Sequence, residues 1–196
     1  MKIIALVSQK GGSGKSTLAV NLAGALSLRG KTSLSDEDAT VRTAQDWLTG
    51  SSIPVDLVPP DAKPATDTKY YVLDVEGRPR LEDVVALSKI ATVLIPGGPN
   101  GGELMPIARM WVALEKAGAE MGNVRVVITK APPVGNVGQA ARDDLRGMGV
   151  TVCTTVIRQY AAHQRALEQQ LLVRDVVDAR AENAWSDVVT LALEVC

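Results

Sequence analysis

The chain has little of what a metal or disulfide framework needs. Of its 196 residues two are cysteines, Cys153 and Cys196, far apart and without ligand spacing, and one is a histidine, His163. A zinc site or a disulfide scaffold is therefore not expected, and the thiols fit a reducing cytosol. Cys153 reads as a core thiol, Cys196 as a frayed terminal residue and His163 as a surface helix residue. Charge of one sign is also missing: the formal net charge is −1, so any site for a polyanion must be local. No apolar run approaches the roughly 20 residues of a membrane-crossing helix, and the run "IIALV" near the start is too short for a secretory core. A soluble protein of a single domain is expected at this length. Repeats and low-complexity tracts are absent as well.

What is present is alternation. Short apolar, β-branched runs alternate with longer amphipathic segments, the pattern of βα units around a mostly parallel, buried, twisted sheet with helices on both faces. Strands are predicted at "KIIALVS", "TSLSD", "VDLVP", "YYVLDV", "TVLIP", "VRVVITK" and "VTVCTTV". Helices are predicted over 15–29, 43–48, 81–88, 103–119, 138–146, 162–171 and 181–195. In the fourth, Leu104, Ile107, Ala108, Trp111 and Leu114 share one face, and Pro106 is tolerated if it falls in the first turn. The clusters "PPDAKP", "EGRPR", "PGGPNGG" and "APPVGNVG" fall at strand ends and read as loops. In an open parallel sheet ligands bind beyond the carboxyl ends of the strands, so chemistry is sought there.

The first of those ends reads SQKGGSGKST. Gly11, Gly12 and Gly14 can take positive φ and bring N–H groups to an anion, and a helix starting at Lys15 aims its N-terminal dipole at the same point. Lys15 supplies a mobile charge for β and γ phosphates, and the Ser16 hydroxyl can ligate Mg²⁺. Ser13 and Thr17 complete the loop. The pattern G-x-x-x-x-G-K-S/T nevertheless fails at its first glycine, which is Gln9 here. The strand "YYVLD" ends on Asp74, where the metal's neighbourhood needs a carboxylate.

With these residues the chain resembles the ParA/MinD group of deviant Walker-A ATPases, whose loop x-K-G-G-x-G-K-S/T is complete as Lys10 to Ser16 and which commonly has Gln before its lysine. The resemblance implies a single P-loop NTPase domain that takes ATP and Mg²⁺. It implies that Lys10 reaches the phosphates of ATP held by a second subunit in a sandwich dimer. In the group's D-x-D-P-Q segment this chain has Asp36-Glu37-Asp38-Ala39-Thr40: Asp38 would position the attacking water and Asp36 would support the Mg²⁺ shell, while Ala39 and Thr40 depart from the pattern. "VEGRP" after Asp74 departs from the usual switch II. "VVITKAPP" resembles the segment beside adenine, which would put Thr129 or Lys130 near the base. "TVIRQYAAHQRALEQQLLVRDV" resembles the family's closing segment, with Leu171-Leu172 where a glycine is usual.

Within the group, the final helix carries no Lys or Arg after Arg180, which argues against a membrane-bound member, and the cysteines do not supply an iron–sulfur cluster. The remaining reading is a short ParA-type partition ATPase in the cytoplasm, associated with the nucleoid. It would bind DNA non-specifically as an ATP homodimer and be reset by a centromere-binding, ParB-type activator. No room for a helix-turn-helix domain is expected before the first strand. Candidate DNA contacts are Arg158, Arg165 and Arg174, with Arg142, Arg146 and Arg180 beside them. The rivals are a small-molecule ATP-dependent enzyme of the dethiobiotin-synthetase kind and a MinD-like regulator lacking a membrane helix.

Overall fold

The computed structural model describes residues 1–8 and 10–196, so the expectation for Gln9 lies outside the described residues. Seven strands, β1 (Lys2–Ser8), β2 (Thr32–Asp36), β3 (Asp56–Leu57), β4 (Tyr70–Gly77), β5 (Thr92–Gly97), β6 (Val124–Ala131) and β7 (Val152–Arg158), form one sheet in the order β3-β2-β4-β1-β5-β6-β7. Every pairing is parallel. The two faces are covered by different helices. On one lie α1 (Lys15–Ser27), α2 (Thr43–Leu48), α6 (Ala161–Gln169) and α7 (Ala181–Glu194); on the other lie α3 (Leu81–Ser88), α4 (Gly101–Lys116) and α5 (Val137–Gly147). No helix among the described residues is long and apolar enough to cross a membrane.

Burial on both faces explains why β1, β5 and β6 read as unbroken apolar runs. The edge strand β3 differs: only Asp56 and Leu57 of the expected "VDLVP" pair with β2. An edge position has no second neighbour to extend the ladder. In α4 the helix starts at Gly101, two residues earlier than predicted, so Pro106 lies inside it and not in the first turn. The earlier start follows from Glu103, whose carboxylate accepts Gly98 N–H at 2.7 Å and the Asn100 amide at 3.0 Å. That side chain ties the loop before α4 to the helix's first turn.

The segment with Leu171-Leu172 in place of glycine solves its turn one residue earlier. Gln170 takes the left-handed conformation at φ 53° and closes α6. Its side-chain amide donates to the Asp46 carbonyl at 2.6 Å. Leu172 is thereby delivered, fully buried, onto α1 at Gly24, where an added Cβ would meet its methyl at 2.4 Å. We expect Gly24→Ala to lower stability by about 1–3 kcal/mol through overpacking, outweighing the roughly 1 kcal/mol that alanine offers in a helix interior. Urea unfolding tests this, and the effect of Gly24→Ala should be smaller in a Leu172→Ala background if the clash is the cause. α7 packs Ala184, Val188, Leu191 and Ala192 into the core.

Candidate nucleotide site

β1 sits where the strand order reverses: the chain passes from β4 across β1 to β5, and a crevice opens beyond the carboxyl end of β1. The loop leaving β1 occupies that crevice. Gly12 and Gly14 have φ of 76° and 81°, which only glycine adopts without strain, and α1 starts directly after Gly14. A cavity of about 290 Å³ is lined by the loop from Lys10 to Thr17 together with Ser8, Asp38, Val41, Thr43 and Gly77. Backbone N–H groups, a helix N-terminus and a lysine thus converge on one volume, the arrangement that holds phosphate.

Lys15 is buried and donates to Asp74 Oδ1 at 2.5 Å. Burial pushes the Asp74 carboxyl up, and the Lys15 ammonium and the Ser16 hydroxyl oppose it. Its second oxygen, Oδ2, and the Ser13 hydroxyl are buried without a hydrogen-bond partner among the described residues. Such atoms are costly to leave unpaired. They fit a bound nucleotide with Mg²⁺, for which Ser16 would offer a hydroxyl and Asp74 Oδ2 could accept from a metal-bound water.

Asp38 lies in the cavity wall. Its Oδ1 accepts from Thr40 N–H (2.9 Å), the Thr40 hydroxyl (2.8 Å) and Val41 N–H (2.9 Å). The Val41 N–H and the Thr40 groups hold its pKa down to about 2. Thr40, which departs from the family motif, is therefore a partner of Asp38. Asp36 is placed differently. Its Oδ1 accepts Asp38 N–H at 3.1 Å, and its Oδ2 accepts Ala44 N–H at 2.9 Å and Gln45 N–H at 3.1 Å. It caps α2 and stands in register with Asp74 across the sheet without lining the phosphate cavity. The "VEGRP" departure resolves as a continuation of β4: Gly77 pairs with Ser8, and Arg78, at φ 61°, donates its N–H to the Ser8 carbonyl at 2.9 Å.

Lys10 stands on the open side of the cavity. Its side chain is 70% exposed, and its nearest opposite charge is Glu103 at 3.9 Å. Burial pushes the Glu103 carboxyl up, but Gly98 N–H, the Asn100 amide and the charges of Lys10 and Lys130 outweigh this and hold it below its ordinary range.

Beside the phosphate cavity a second one of about 470 Å³ is lined by Gly14, Thr17 and Leu18, by Thr129 and Lys130 of β6, and by the segment from Ile157 to Gln164. Its walls are largely apolar, as a base requires. His163 lines it too, contrary to the expected surface position. Ala162 and Ala166 turn that side of α6 inward, and neither ring nitrogen finds a partner among the described residues. Burial pushes the imidazole pKa down. Sequence periodicity around His163 gave no sign of this, because α6 is short and its buried residues are alanines. Cys153 is buried as expected, its thiol pushed up to about 12 by burial and the nearby Glu194.

Arg142, Arg146, Arg158, Arg165 and Arg174 have acidic or carbonyl partners. Arg158 is held by Asp187 through its backbone N–H and its guanidinium, the shortest contact being 2.6 Å. Arg165 pairs with Asp178 at 2.8 Å, and Arg174 pairs with Asp175 at 3.4 Å while stacking over Trp185. Arg142 and Arg146 donate to the Thr154 and Val152 carbonyls along the β7 edge, where Glu194 accepts from the Thr154 and Thr155 N–H groups. These side chains take up edge groups that would otherwise invite a further strand.

Fold and loop together define a P-loop nucleotide-binding protein. The chain belongs to the CobQ/CobB/MinD/ParA nucleotide binding domain family, whose sequence profile matches residues 4–173. It is 27% identical over 207 residues to "Maintenance of carboxysome distribution protein A" of Gloeobacter kilaueensis, covering 99% of this chain and 94% of that protein. In structure it is similar to apo McdA of Cyanthece (TM-score 0.75, 16% identity, 98% of this chain and 99% of that one). It is similar also to the septum site-determining protein MinD of Pyrococcus horikoshii OT3, complexed with Mg-ADP (TM-score 0.74, 18% identity, 99% of this chain and 95% of that one).

Proposed function

We propose that the protein is a partition ATPase that positions a cargo along DNA by cycling between an ATP-bound homodimer and ADP-bound monomers. The observation that carries this reading is Lys10, exposed on the open rim of the phosphate cavity and only loosely faced by Glu103. A cation so placed serves a phosphate approaching from outside better than one already within its own loop. Lys15 and the loop N–H groups hold the β and γ phosphates of ATP, and Ser16 with Asp74 holds Mg²⁺, whose charge offsets that developing on the phosphates. Asp38 orients the attacking water. Thr129 borders the base cavity from β6.

DNA contact is assigned to Arg165 and Arg174, whose side chains are 49% and 33% exposed, with Arg180 beside them. Doubling such a surface in a dimer multiplies affinity and steepens its salt dependence, because each phosphate contact releases counterions. Arg158 is the most tightly held of the three, with two guanidinium bonds to Asp187, and is assigned the smallest share of the contact. The reset is assigned to an activator protein of the centromere-binding, ParB kind, or its counterpart on another cargo. The likeness to a carboxysome distribution protein favours a second reading in which the cargo is a protein compartment and not a plasmid or chromosome.

One experiment tests both the dimer and the DNA step. Retention on non-specific duplex DNA is measured with ATP and with ADP at two salt concentrations, alongside light scattering, for the natural chain and Lys10→Ala. Retention and a dimer mass with ATP alone are expected for the natural chain. Lys10→Ala is expected to bind ATP yet remain monomeric and unretained. Equal retention with both nucleotides would sink the switch and favour a small-molecule enzyme on this fold.

A further inference from the structure

The end of β6 does something that a regular strand cannot do. Consecutive side chains of a strand point to opposite faces, yet Thr129 and Lys130 both reach the phosphate loop. The Thr129 hydroxyl donates to the Ser13 carbonyl at 3.1 Å, and the Lys130 ammonium donates to the carbonyl of the preceding residue, Gly12. The cause is a bulge. Ile128 pairs with Val156 and Ala131 with Arg158, so three steps on β6 match two on β7, and Lys130 absorbs the extra residue at φ 54°. A lysine in the left-handed region is strained, and bulges beside sites commonly re-aim a side chain. The Lys130 stem lies against Gly14, its Cε 3.6 Å from where a Gly14 Cβ would stand.

From this we infer that Lys130 is a third phosphate-binding lysine, acting in cis on the phosphates of the bound nucleotide and not on its base. The inference rests on the nucleotide reading of the loop. Two adjacent loop carbonyls, those of Gly12 and Ser13, are thus tied to β6. An ammonium has three donors, so Lys130 can keep the Gly12 carbonyl and still donate to a phosphate oxygen, a far stronger acceptor because it is charged. Glu103, which feels the charges of both Lys10 and Lys130, is the acid that faces this pair from α4. Lys130 borders the base cavity and not the phosphate cavity, but its ammonium is held at the Gly12 carbonyl of the phosphate loop and not by any group of the base cavity's far wall.

Calorimetric titration with ATP, ADP and adenosine distinguishes the roles, using Lys130→Met, Lys130→Asn and Lys130→Arg. Lys130→Asn tolerates positive φ without the charge, so it separates charge from backbone strain. Met and Asn variants are expected to weaken ATP and ADP by about tenfold to a hundredfold, the usual worth of a charged hydrogen bond. Both should leave adenosine within about twofold, an effect below that of one ordinary hydrogen bond, and Lys130→Arg should restore most of the loss. An equal loss for adenosine would move Lys130 to the base, and tighter ADP binding would make it a plug; either overturns the assignment. So would unchanged affinities. If the natural chain bound neither ATP nor ADP, the nucleotide reading itself would fall, an outcome separate from these.

Discussion

Lys15→Met is expected to abolish useful nucleotide binding and to destabilise the fold at the same time. The first effect follows from the loss of the one buried cation of the phosphate cavity, and should weaken ATP by at least about a hundredfold. The second follows from Asp74. With its side chain fully buried and its Oδ2 already unpartnered, it would keep a buried charge with no counter-ion, a cost of about 3–5 kcal/mol for a broken buried pair. That cost depends on pH in a definite direction. Burial already raises the Asp74 carboxyl above its ordinary value, and removing Lys15 raises it further. A group with a raised folded pKa favours the fold below its unfolded value and loses that contribution as pH rises through the folded one. The stability gap between variant and natural chain should therefore close toward acid pH and widen toward neutrality. Urea unfolding from pH 4 to 8 without nucleotide measures it, and Asp74→Asn added to Lys15→Met should recover part of the loss.

The site's legibility in the sequence divides along a physical line. The placement of the loop, Lys15, Ser16 and Asp74 was legible because it is set locally: glycines at fixed spacing, a strand before, a helix after and a buried strand ending on a carboxylate. The central strands were legible because burial on both faces demands apolar runs. "TSLSD" obeys that rule least, yet its serines are fully buried, Ser33 meeting the Thr68 hydroxyl at 3.2 Å and Ser35 the Glu37 carboxylate at 2.6 Å. Polar atoms can lie in a core once paired, and no periodicity announces the pair. Asp36, Lys130 and His163 were less legible for the same reason. The α2 N–H groups that Asp36 caps, the bulge that turns Lys130 and the alanines that draw His163 inward all depend on where distant segments meet.

Asp38 offers the sharpest test of what this chain does with its nucleotide. Its carboxylate, with a pKa of about 2, is a poor proton acceptor. In the proposed hydrolysis its contribution would be a fixed negative charge that orients water, which suits phosphoryl transfer, where positioning and electrostatics outweigh covalent chemistry. The same oxygen also builds the turn at Thr40 and Val41, so Asp38→Ala removes charge and turn together. Asp38→Asn separates them, because an amide oxygen can accept the same N–H groups. Both variants are expected to lower steady-state hydrolysis by about a hundredfold, the cost of misplacing a reacting group. ATP-dependent dimerisation should persist in Asp38→Asn, since Lys10, Lys15 and the loop are untouched. Single-turnover phosphate release together with light scattering reads the two effects separately. A dimer that still hydrolyses ATP at the natural rate would exclude Asp38 from the reaction, and a variant that hydrolyses normally as a monomer would also remove the shared site from the mechanism.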